Sequence, residues 1–219
     1  MPETELYDPI KSYLMAQGYE VKGEVGVADL VACRGDEPPV VVELKTSFTL
    51  SLFHQCVERQ SVTDLVYLAV PRGHGARWSR SLKNNTALCK RLGLGVITVR
   101  VKDSFVEVHL DPATYRPRKI SRHKARLLRE FARRVGDPNR GGATRRGLVT
   151  AYRQDALRCA ACLSRNGPTR GAVVAKETAV ANATRIMADD HYGWFERVET
   201  GIYALTPKGS EMLAAYGEP

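Results

Sequence analysis

Two neighbouring stretches decide the fold: Glu24-Val-Gly-Val-Ala-Asp29-Leu-Val-Ala32 and Val40-Val-Val-Glu43-Leu-Lys45-Thr-Ser47. Both are short β-branched runs, and the turn-forming Gly35-Asp36-Glu37-Pro38-Pro39 lies between them. They therefore read as strands Asp29–Arg34 and Val40–Ser47 of an antiparallel hairpin. Side chains alternate faces along a strand, so Glu43 and Lys45 share one face about 7 Å apart, while Val42 and Leu44 take the other. The same hairpin lets Asp29 lie beside Glu43. Ionisable groups inside an apolar strand are costly to desolvate unless each finds a partner, so this pattern asks for a reason.

Outward from the hairpin, Leu6, Ile10, Tyr13 and Leu14 recur at helical spacing over Leu6–Gln17, with Gly18 as the stop and a strand at Tyr19–Val25 after it. Downstream the pattern predicts a helix over Leu50–Val62, a buried strand over Asp64–Val70 and a helix over Ser79–Leu92 closed by Gly93. Strands Gly95–Val101 and Phe105–Leu110 follow, turning at Lys102-Asp103-Ser104. The order α-β-β-β-α-β-α-β-β predicts an α/β (α+β) domain, a mixed sheet with helices on its faces.

Asp111-Pro112 and Pro117 mark a boundary, so the first domain is expected over 1–115. A basic helix, Ser121–Val135, and a Gly-, Arg- and Pro-rich linker then occupy 116–147. Over 148–219 the elements expected are helices at Tyr152–Arg165, Arg170–Thr178 and Ala181–Tyr192, a hairpin of Trp194–Val198 with Ile202–Thr206, and a last helix at Lys208–Tyr216. That is the order of a winged helix-turn-helix domain.

The chain has 219 residues, 43% hydrophobic and 26% charged, enough to bury a core, which sets aside disordered, collagenous and disulfide-miniprotein classes. Five scattered cysteines, an odd number, suit a reducing compartment. No apolar run approaches the roughly 18 residues of a membrane span, and the acidic start MPETELYDP lacks a signal peptide's basic-then-apolar order. A cytoplasmic protein without membrane contact is expected.

The net charge of +9 is concentrated. Residues 116–170 carry 16 Lys and Arg against Glu130, Asp137 and Asp155 only, a net of +13, while 1–115 and 171–219 are near neutral or acidic. Such a patch points to a polyanion, with DNA the expected nucleic acid. Arg122, Lys124, Arg126, Arg133 and Arg134 are the candidate backbone contacts. A solvated pair of Arg-rich helices, or a docking surface for an acidic protein, are the competing readings.

Two carboxylates brought together repel unless a cation sits between them, and a hard divalent ion, Mg2+ or Mn2+, fits oxygen ligands of this kind. Lys45 beside it supplies a point charge for an attacking water and for negative charge developing on a phosphorus centre. Asp29, Glu43 and Lys45 together suit metal-assisted phosphodiester hydrolysis, with the Leu44 main-chain carbonyl as a further metal ligand.

The pattern of Asp29, then Glu43-Leu-Lys45 on the next strand, after an acid-bearing helix and before a helix, resembles the PD-(D/E)XK nuclease superfamily over roughly residues 1–110. More closely, VVVELKTSF (40–48), HQCVERQSVTDLVYLAVP (54–71) and YGWFERVETGIYALTPKG (192–209) are similar to a family of bacterial phosphodiesterases in which that nuclease core precedes a winged helix. The resemblance implies a restriction-endonuclease-like fold, a metal-dependent nuclease, Asp29 and Glu43 as ligands, and Lys45 as the catalytic lysine. Ala28 stands where the superfamily's name places a proline.

Glu24, across a bend at Gly26, is a candidate third acid, with Glu5 competing for that role. In the following helix Gln55 and Arg59 share a face at i, i+4, with Gln60 beside them. Gln55 is expected to support catalysis, and Arg59 and Gln60 to grip a phosphate; an ordinary helix exterior is the alternative. Cys159-x-x-Cys162 lacks a second ligand pair and reads as buried helix. Paired cuts in a duplex call for two sites, which puts a homodimer in view. The alternative from another class is a non-catalytic DNA-binding regulator that keeps the nuclease fold.

Overall fold

Strands β1 (Glu20–Val25), β2 (Ala28–Cys33) and β3 (Val40–Leu44) form an antiparallel meander in the computed structural model, which describes residues 2–142 and 147–216. The hairpin register pairs Leu30 with Val42, Val31 with Val41 and Ala32 with Val40. The sheet then changes sense: β3 pairs parallel with β4 (Val66–Pro71), β4 parallel with β5 (Gly95–Arg100), and β5 antiparallel with β6 (Phe105–Leu110). The order β1-β2-β3-β4-β5-β6 makes a six-stranded mixed sheet.

Helices cover both faces, as the apolar pattern of the parallel strands requires. A 3-10 turn, Glu3–Leu6, leads into α1 (Tyr7–Met15), and Leu6 of the turn with Ile10 and Leu14 of α1 packs with Val42, Leu44 and Ile97. On the opposite face Leu52, Phe53 and Cys56 of α2 (Leu50–Arg59) pack with Val41, Leu68 and Val96, and Cys89 of α3 (Gly75–Leu92) joins them. All five residues of β3 are buried, so Glu43 lies inside an otherwise apolar strand. This is the mixed sheet with helices on its faces expected from the element order, and it is consistent with the restriction-endonuclease-like fold that the resemblance implies.

Several boundaries differ from the expected ones. β3 ends at Leu44, where Ser47 was expected, and α2 stops at Arg59 because the next residues close turns back onto the carbonyls of Val57, Glu58 and Arg59. α3 begins at Gly75, earlier than the expected Ser79.

The chain divides into two compact units, Met1–Arg118 and Lys119–Pro219. In the second, α4 (Ser121–Arg133) is joined to α5 (Ala151–Asn166) by an Arg133–Asp155 ion pair, and Glu130 Oε1 accepts the Ala151 N–H at 3.0 Å. The basic helix expected within a separate 116–147 connector therefore groups with the elements that follow it. Part of the expected linker, residues 143–146, lies outside the described residues. A two-residue strand β7 (Thr169–Arg170), not expected from the pattern, precedes α6 (Gly171–Thr178), α7 (Ala183–Asp189), β8 (Phe195–Glu199), β9 (Ile202–Leu205) and α8 (Pro207–Tyr216). The three strands form a sheet in the order β7-β9-β8. Cys159 and Cys162 are buried in this unit's core with Val174, Ile186, Trp194 and Tyr203.

Candidate active site

The sheet sets Asp29 next to Glu43. The pairing of Leu30 with Val42 makes Asp29 and Glu43 the next opposed residues in an antiparallel ladder. Each carboxylate has one oxygen engaged. Asp29 Oδ2 accepts the Leu44 N–H at 2.7 Å, and Glu43 Oε1 accepts from Arg59 Nε at 2.7 Å. Glu43 Oε2 is fully buried without any hydrogen-bond partner among the described residues. Burial pushes the Glu43 carboxyl up to about 7, and the negative charge of Asp29 adds to this, while Arg59 opposes it.

Lys45 follows directly. Its Nζ lies 3.1 Å from Glu3 Oε2 on the 3-10 turn, a pair left partly open to solvent. Glu3, Glu24, Asp29 and Leu44 line one cleft of about 510 Å³, together with Thr4, Tyr7, Asp8 and Gly23. Glu24 is exposed near the end of β1, in the left-handed region with φ 52°. Glu5, the competing acid, is exposed and not among the lining residues; the acid on the first helical turn that reaches Lys45 is Glu3. Sequence reasoning missed Glu3. The available signal was a carboxylate at the start of an amphipathic helix whose apolar side packs beneath β3.

Helix α2 brings Arg59 against Glu43, and Gln55 lies one turn earlier on the same helix. Gln55 is half-buried, and its Oε1 has no hydrogen-bond partner among the described residues. Arg59 departs from the expected phosphate contact. It is 7% exposed, bonds Glu43 through Nε and the Val27 carbonyl through Nη2, and lies 3.5 Å from Glu58 through Nη1. A guanidinium so engaged in the interior is not offered to an external phosphate. Gln60 likewise turns inward, its Nε2 donating to the Leu92 carbonyl at 2.9 Å, which ties the end of α2 to the end of α3.

The Arg-rich candidates belong to the second unit. Arg122, Lys124 and Arg126 are exposed on α4, and no ion pair engages them among the described residues. Arg133 is paired with Asp155, and Arg134 with Glu130 at 2.9 Å. Both of these hold structure together as well as carry charge.

The donor set suits a hard divalent cation. It consists of two adjacent carboxylates on neighbouring strands, one of them with an orphaned buried oxygen, and of Leu44 on the cleft wall. Among the described residues no group of three or more His, Cys, Asp or Glu side chains converges.

Residues 96–212, a little over half of the chain, match the family described as "Putative PD-(D/E)XK phosphodiesterase (DUF2161)". The matched span runs from β5 to α8 and does not include Asp29, Glu43 or Lys45. No curated protein matches the chain.

Proposed function

The chain belongs to that PD-(D/E)XK phosphodiesterase family, and from this premise we propose that it is a metal-dependent nuclease that hydrolyses DNA at the Asp29–Glu43–Lys45 cluster. The observation that carries the reading is the pair of half-engaged carboxylates: Asp29 and Glu43 each have one oxygen fixed by the fold, and Glu43 Oε2 is left buried and unpartnered among the described residues. An orphaned buried carboxylate oxygen is costly to maintain and needs an explanation. A cation shared with Asp29 supplies one.

In this reading Asp29 and Glu43 would hold Mg2+ or Mn2+, with the Leu44 carbonyl beside them. When bound, such an ion supplies Lewis-acid stabilisation to a phosphodiester. Lys45 positions the attacking water with its ammonium group and meets the negative charge that develops on the phosphoryl oxygens. Glu3, which lines the cleft, holds the Lys45 amine until a substrate phosphate competes for it. Glu24, on the same wall, would take part as a third acid, and Gln55 would orient groups from the α2 side. Residues 148–219, with their helices and three-stranded sheet, are read as a winged helix-turn-helix domain, and the exposed Arg122, Lys124 and Arg126 of the preceding basic helix α4 as the contacts to the DNA backbone. The enzyme is read as cytoplasmic and bacterial, and paired cuts in a duplex would call for a homodimer.

Incubation with plasmid, linear and single-stranded DNA and with RNA, with and without Mg2+ or Mn2+, tests it. Cleavage is expected only with the metal, and Asp29→Asn, Glu43→Gln and Lys45→Met are each expected to lower its rate by orders of magnitude, because residues acting as a unit fail singly. Metal-independent cleavage, or three fully active variants, would overturn the assignment. Salt-sensitive DNA binding with neither metal binding nor cleavage would instead support the regulator.

A further inference from the structure

Arg59 makes contacts that hydrolysis by two carboxylates and a lysine does not by itself require. Its guanidinium reaches three parts of the first unit at once: Glu43 on β3, the Val27 carbonyl at the β1–β2 turn, and Glu58 on its own helix. Val27 is two residues before Asp29. One planar fork thus ties the strand that carries Glu43 to the segment that leads into Asp29. The fork engages only Oε1 of Glu43, and it is on Oε2 that no protein donor is found among the described residues.

Resting on the two-carboxylate reading above, we propose that Arg59 is a positioning residue that braces β3 against the β1–β2 turn, so that Glu43 Oε2 and Asp29 are preset for a divalent cation. The geometry needs an arginine. A guanidinium donates in two directions from a rigid plane, whereas a lysine ammonium is a point charge on a flexible stem and cannot reproduce both bonds in a fixed geometry. Partners that orient metal ligands from outside the coordination sphere commonly alter metal affinity when removed, by roughly ten- to a hundredfold.

The test titrates the full-length protein with Mn2+ alone by calorimetry, alongside thermal melting without metal, for the wild type, R59M, R59K and D29N. R59M is expected to bind Mn2+ roughly ten- to a hundredfold more weakly. R59K, which can keep the ion pair but loses the fork, is expected to lie between it and the wild type, with a melting temperature close to wild type. R59M binding as tightly as the wild type overturns the proposal, and so does equal loss in R59K and R59M that tracks their melting temperatures. If R59M does not fold, R59K decides: weaker binding at an unchanged melting temperature supports the brace, and wild-type affinity overturns it. Wild-type protein that binds no Mn2+ removes the two-carboxylate site itself. Binding lost in D29N but kept in R59M removes only the role given to Arg59.

Discussion

A carboxyl whose affinity for a proton rises on folding leaves a signature in stability. Glu43 goes from an ordinary value of 4.5 to about 7 in the fold, chiefly because it is buried and secondly because Asp29 is beside it. Between those values the folded chain holds a proton that the unfolded chain has released. The Glu43 contribution is therefore intact below about pH 4.5 and is lost as pH rises through about 7. Metal-free protein is expected to lose stability across this window. Glu43→Gln should flatten the profile while the Gln oxygen still accepts from Arg59. Chemical denaturation from about pH 4.5 to about pH 8 checks this, and an identical slope in the variant would remove Glu43 as its source. The sequence made Glu43 conspicuous, a charge in the run VVVEL. Its counter-ion was not legible, because Arg59 is 16 residues away and reaches it only through the packing of α2 on the sheet.

At the scale of elements, the parallel pairing of β4 with β5 depends on a residue with no side chain. Tyr67 is registered opposite Gly95, and a Cβ on Gly95 would come 2.2 Å from Tyr67 Cδ1. The ring cannot swing away freely, since its hydroxyl donates to Asp111 Oδ1 at 2.9 Å beyond the end of β6. Gly95→Ala is expected to destabilise by roughly 1–3 kcal/mol, as overpacking does, with the loss read from the denaturation midpoint at an unchanged m-value. Gly95→Ala with Tyr67→Leu should recover part of it. The elements themselves were largely readable: the strand of DLVYLAV and the runs around Asp29 and Glu43 announced themselves by β-branched residues and flanking turns. The end of α2 was not, because hydrogen bonds of the closing turns, rather than propensity, set it, and the start of α3 and the end of β3 also fell elsewhere than expected.

Across the whole molecule the excess of positive charge is confined to one stretch, and the fold divides its members by task. Arg133 and Arg134 are held by Asp155 and Glu130, whereas Arg122, Lys124 and Arg126 are exposed. Replacing these three by Gln is expected to weaken DNA binding evenly across sequences and to reduce the salt slope by about 0.9 for each phosphate contact removed. Arg133→Gln is expected to act differently, lowering the melting temperature by loosening α4 from α5 and uncovering the nearly buried Asp155. Binding titrations at several salt concentrations, set beside thermal melts, separate the two effects.

The sequence alone determined the class of sheet, the antiparallel hairpin that opposes Asp29 to Glu43, and the confinement of the charge to one segment. Each of these follows from local patterning: period-two alternation, turn residues and the count of Lys and Arg. Tertiary structure alone decided that Glu3 rather than Glu5 reaches Lys45, and that Arg59 and Gln60 turn inward. It also decided that one oxygen of Glu43 is left without a partner among the described residues. Those outcomes depend on which groups from distant segments converge once two helix layers close on the sheet, and no spacing along the chain encodes that convergence.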